Sequence, residues 1–182
     1  STAALGHYAD FGHSLIYVTQ AGRLIERLGP RAEAPVLLAL VRSLVNAFRE
    51  ELIPEFRSYG KVLADWPARQ PNGAAALTAD SFIDRSINDC LKAVTETAAG
   101  HSDRELHGAL LGASALNLLR FHMPIQDRTD NTVAENVGWL DFTHGITFGN
   151  AVRLQCEKFP ELWPKGLLQM ACFAGRNSGY VD

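Results

Sequence analysis

The sequence predicts an all-α fold, a single bundle-like domain of six or seven helices covering residues 1–182. Three observations carry this. Apolar residues recur at steps of three and four through most of the chain. Two Ser/Thr-x-x-Glu capping boxes, Ser102-Asp103-Arg104-Glu105 and Thr132-Val133-Ala134-Glu135, mark helix starts. No segment shows the apolar/polar alternation of a half-buried strand. At 182 residues, 47% apolar and 20% charged, the chain can bury one sizeable core and is short for two domains.

Leu15, Val18, Ala21, Ile25 and Leu28 form the stripe of a first amphipathic helix, which Gly29-Pro30 ends. Next, "RAEAPVLLALVRSLVNAFREEL" is apolar on most sides from Val36 to Val45, the pattern of a central, buried helix. Pro54 breaks it, and a shorter helix is predicted from there to about Leu63. "DWPARQPNGAAALTAD" is a loop, rich in Pro, Gly and an Asn-Gly turn signal. A third helical region runs from Ser81 to about Thr97, with Phe82, Ile83, Ile87, Cys90, Leu91 and Val94 on one face. The Ser102 box opens a helix to about Phe121, whose Gly108, Gly112, Ala113, Ser114 and Ala115 allow close backbone approach. After a loop, "HMPIQDRTDN", the second box opens a helix reaching Lys158; Pro160 stops it, and "ELWPKGLLQMACFAG" forms the last.

Composition excludes several function classes. A net charge of -3, with no long basic run, leaves little to neutralise phosphates, so no nucleic-acid partner is expected. The longest strongly apolar stretch, "APVLLALV", is too short to span a bilayer. No basic, then apolar, leader opens the chain. Cys90, Cys156 and Cys172 are widely spaced and read as small buried hydrophobes in a reducing compartment, which points to the cytoplasm. The abrupt ends read as those of a domain within a longer chain, and a homo-oligomer is compatible with the composition. No G-x-S-x-G elbow and no phosphate-cradling glycine loop is present.

One four-residue word occurs twice, as Asp10-Phe11-Gly12-His13 and Asp141-Phe142-Thr143-His144. On a helix, residues three apart project from nearly the same face, so each Asp–His pair can point at one ion. Two such pairs on facing helices are the arrangement of carboxylate-bridged metal bundles. His7 precedes Asp10 by three residues and would extend the first row, while Glu50, Glu51 and Glu55 are candidate further carboxylates. Imidazoles with a carboxylate suit non-haem iron, another transition metal or zinc. Alternatively, Asp10 caps the first long helix, or each Asp holds its own His without any ion. A cap at Asp141 requires a helix break at Gly138. Asn150 and Arg153, further along the second motif, can bind an anionic cofactor or substrate group, or lie on an ordinary surface. His101, His107 and His122 read as surface or helix-end residues.

"HYADFGHSLIY", "REELIPEFRSY", "NVGWLDFTHGITFGNAVR" and "LWPKGLLQMACFAGRN" resemble the helical region of bacterial proteins containing a Rieske [2Fe-2S] domain. The resemblance implies a redox setting, with a Rieske-type ferredoxin domain or redox complex as partner. Paired C-x-H and C-x-x-H loops are absent here, so a [2Fe-2S] cluster would belong to a partner domain outside this chain. In general character the chain is also similar to the helical, histidine-ligated iron oxygenases of the questin oxidase type. Taken together, the expectation is a helical domain binding non-haem iron for an oxidoreductase role, with ligands among His7, Asp10, His13, Asp141, His144, Glu50 and Glu55. The alternatives are a metal-free helical module that docks a Rieske domain or redox complex, and a hydrolytic zinc site.

Overall fold

The computed structural model describes residues 1–68, 76–127 and 137–182. Among them are eight α-helices: α1 (Thr2–Gly6), α2 (His13–Leu28), α3 (Glu33–Val45), α4 (Ser58–Ala64), α5 (Ile87–Ala98), α6 (Asp103–Leu119), α7 (Trp139–Lys158) and α8 (Trp163–Asn177). The all-α prediction holds; among the described residues extended pairing is limited to two isolated bridges, Ala9 with Arg49 and Phe121 with Val181. The capping box at Thr132–Glu135 lies outside the described residues.

Most helix boundaries follow from local chemistry. The Ser102 hydroxyl accepts the Glu105 N–H, and the Glu105 carboxylate accepts the Ser102 N–H, so α6 starts where its box predicts. Gly29, at φ 76°, ends α2. The expected helix from Ser81 begins later, at Ile87 with Ser86 as its cap. Phe82 instead sits fully buried in the preceding turn.

The central helix is α8, not α3. Every residue from Gly166 to Asn177 is buried, with α4, α5, α6 and α7 packed around the helix. Its polar residues are partly satisfied in place, the Gln169 Oε1 and Asn177 Oδ1 being buried without a hydrogen-bond partner. Gln169 donates to the carbonyls of Leu5 and His7 and to the Tyr59 hydroxyl, and Asn117 of α6 donates to the Ala174 carbonyl. At Gly175 a Cβ would come within 2.5 Å of Ile87 Cα, so the glycine lets α8 cross the first turn of α5 backbone to backbone.

The buried position expected of α3 is overturned. The helix contains no buried residue and packs mainly against α2. Its apolar circumference suggests a core position, but the more polar α8 takes that position instead.

Candidate functional site

The first word does not lie on one helix. After α1 the chain is extended at His7 (φ -131°, ψ 156°), and Asp10 and Phe11 take left-handed φ of 50° and 46°. Two successive non-glycine residues there cost roughly 1–2 kcal/mol each, so something must hold them. The Asp10 N–H donates to the Phe48 carbonyl (2.9 Å), and its carboxylate accepts the Phe48 N–H (2.7 Å). The Glu50 N–H donates to the Tyr8 carbonyl, and the Phe11 N–H donates to Glu50. The Phe11 ring packs edge-on against Tyr8 and Phe56, with the Arg176 guanidinium 4.4 Å from its centroid. Gly12, at φ 85°, lies so close to Phe148 that a Cβ would meet the ring at 2.4 Å. His13 then opens α2, its Nδ1–H donating to the Asp10 carbonyl at 2.5 Å. In the neutral ring this leaves Nε2 with a lone pair.

The second word does follow a helix break at Gly138, the N-cap of α7. The Asp141 carboxylate accepts the Gly138 N–H at 2.8 Å and pairs with buried Arg176 at 2.5 Å. Phe142 is fully buried against Phe121, centroids 4.8 Å apart. One turn into α7, His144 turns inward and meets His13. The ring centroids lie 3.9 Å apart with the planes inclined by 52°.

The two faces therefore meet, and the chemistry at the meeting point is specific. Burial, and then the neighbouring His13, lower the His144 pKa, while Asp141 and a hydrogen bond to the Leu140 carbonyl act in the opposite sense. The imidazole is accordingly neutral near pH 7, with Nε2 buried and unpartnered. Beside the pair lies a cavity of about 470 Å³ with Phe11, His13, Tyr17, Phe48, Glu50 and Ile53 in its wall. Glu50 is 2% exposed and one of its oxygens has no partner. Burial is the main cause raising its pKa to about 7.

The remaining predicted residues lie elsewhere. His7 is not in line with Asp10 and His13, because the helix ends before it; its Nδ1 pairs with Glu51 at 2.8 Å, an interaction Glu51 shares with Arg49. Glu55 borders a separate cavity with Arg85, Gly175 and Arg176. Asn150 and Arg153 lie on the exposed side of α7, bonded to each other, with Arg153 also on Glu157. Asp141 holds Gly138 and Arg176, so the role of orienting His144 passes to the Leu140 carbonyl. His107, read as a surface or helix-end residue, lies near the start of α6 but is buried, its ring bonded to the Gly149 carbonyl at 2.8 Å. The three cysteines are free and buried, and burial pushes the Cys90 and Cys156 thiols up to about 12.

As a metal site, the pair supplies two imidazoles, each with its other nitrogen turned to a backbone carbonyl, as ligating histidines commonly have. Among the described residues no group of three or more His, Cys, Asp and Glu side chains is placed to hold an ion. The donor count of two falls short of the three or four protein ligands of zinc sites. Phe48 and Tyr17, which wall the cavity, were not among the predicted residues. Nor was Arg176, which joins the two words. In comparisons with protein-family models, curated proteins and solved structures, nothing matches this chain.

Proposed function

We propose that this chain is a non-haem metal-binding helical domain with an oxidoreductase role. His13 and His144 hold the ion, iron foremost, and the adjoining apolar cavity takes the substrate. The observation that carries this reading is the contact between the two rings, with the His144 Nε2 buried and left without a hydrogen-bond partner. A buried nitrogen lone pair without a donor is unfavourable, and a cation bound there would satisfy it. Bound there, a redox-active ion would supply electron-transfer or oxygen chemistry. Phe11 and Ile53 would exclude water from an apolar substrate, and Glu50, its pKa raised to about 7, can offer a hydrogen bond in its protonated form. The oxidoreductase role and the Rieske-type partner domain rest on the sequence resemblance.

A second reading is favoured by the carboxylates: Asp10 and Asp141 are each committed to holding backbone or arginine. On that reading the chain is a metal-free module docking a Rieske domain or redox complex, and the histidine pair is a structural contact. Elemental analysis separates the two. Protein purified without chelator is expected to carry a stoichiometric transition metal that His13→Ala and His144→Ala each lose while still folded. Less than about a tenth of an equivalent in the parent, or metal retained in both variants, overturns the metal reading. Zinc in place of iron would redirect it to hydrolysis.

A further inference from the structure

We propose that the outer face of α3 joins two copies of this chain as a two-fold, antiparallel helix pair. Ala34, Leu38, Val41 and Val45 follow one another at steps of four, three and four, the spacing of a coiled-coil seam. The seam points to solvent: Leu38 is 66% exposed, Val41 53% and Val45 78%. The opposite side of α3, with Val36, Leu40 and Ser43, faces the α2 groove. Leu37, Phe48 and Leu52 extend the apolar surface along the same part of the chain, Phe48 being 80% exposed.

Size and pattern identify the occupant as a second copy. At roughly 100 Å² of exposed apolar area each, the six large side chains offer on the order of 600 Å² per copy. That is at the upper end of patches on monomers, and a pair would bury about 1,200 Å², enough for a specific interface. The pattern is also self-complementary. A two-fold axis midway between Leu38 and Val41 sets Leu38 against the other copy's Val41, and small Ala34 against the other copy's Val45. None of the four seam residues carries a charge that would select an oppositely charged partner. Because Phe48 also walls the histidine-side cavity, the pair would border that cavity.

The test is mass in solution, from sedimentation or light scattering across the micromolar range. The expected species is a dimer of the 19.9 kDa chain. Leu38→Glu and Val41→Glu should each give monomers with unchanged helical circular dichroism, since neither side chain is buried within one copy. A parent that is monomeric up to about 100 μM overturns the proposal. So does a dimer that survives both substitutions, or a monomer that binds phosphatidylcholine vesicles through this face. Nitroxides at Ala39→Cys and at Asn46→Cys then test the orientation. An antiparallel pair places the second set farther apart between copies, whereas equal distances would mean a parallel pair and refute it.

Discussion

Removing the Asp141 carboxylate is expected to be strongly destabilising. Arg176 is 3% exposed and Asp141 23%, and their charged groups meet at 2.5 Å. Asp141→Ala leaves the guanidinium buried without that counter-charge, a class of change that costs about 3–5 kcal/mol. It also frees the Gly138 N–H at the start of α7, worth about 0.5–1 kcal/mol. Arg176 keeps its stacking on Phe11 and further contacts of its own, which offset part of this. The net expectation is a loss of about 3 kcal/mol, or roughly 6–12 °C in Tm for a chain of this size. Urea denaturation, with the midpoint falling at constant slope, measures it. The buried charge makes a second, sharper demand. Once Arg176→Met has removed the guanidinium, Asp141→Ala should cost only its capping share, so the two changes combine with about 2 kcal/mol of coupling. A loss below about 1 kcal/mol in Asp141→Ala, or strict additivity in the double variant, would refute the idea that Arg176 and Asp141 act as one unit.

Glu50 should make stability pH-dependent. Its folded-state pKa, about 7, lies above the ordinary 4.5. Its contribution is therefore fully present below about pH 4.5 and is lost as pH rises through 7, by roughly 3 kcal/mol in total. Tm measured from pH 5.5 to 8.5 should fall more steeply in the parent than in Glu50→Gln; parallel curves would contradict this. Gly12→Ala forces a Cβ into a left-handed position and onto the Phe148 ring. An expected loss of about 2–4 kcal/mol, read by urea melts, combines both penalties, and a near-neutral variant would show that the Asp10–Gly12 turn relaxes freely.

Helix content was legible because periodicity and caps are local signals. The Ser102 box and the Gly29-Pro30 stop act through atoms within a few residues, so the sequence displays them directly. Which helix occupies the centre was not legible. Hydrophobicity favoured α3, but α8 carries Gln169 and Arg176 into the core, tolerable only through partners distant in sequence. Pattern reading penalises such residues because the compensating bonds lie outside the window. His107 illustrates the same limit: a single bond to the Gly149 carbonyl makes its burial tolerable. At the site, the convergence of His13 and His144 followed from their shared word, whereas the separation of His7 did not. The helical row extended back to His7 fails because residues 10 and 11 are held in left-handed backbone by a segment some forty residues away.

The repeated word emerges with a division of labour that the i, i+3 geometry alone did not suggest. In both copies the aspartate holds main chain at the entrance to a helix, through the Phe48 N–H in the first case and the Gly138 N–H in the second. In both copies the phenylalanine anchors the turn by packing, Phe11 against Tyr8 and Phe56, Phe142 against Phe121. Only the histidines are left to converge. The third position differs for a physical reason: α2 starts at a left-handed turn pressed against Phe148 and requires Gly12, whereas Thr143 is already inside α7, its hydroxyl donating to the Leu140 carbonyl. Arg176 joins the copies, stacked on the phenylalanine of one and paired with the aspartate of the other. The carboxylates that first suggested metal ligands thus hold main chain and Arg176, while backbone carbonyls of Asp10 and Leu140 take one nitrogen of each imidazole. The two rings are left in contact, with the His144 Nε2 buried and without a hydrogen-bond partner.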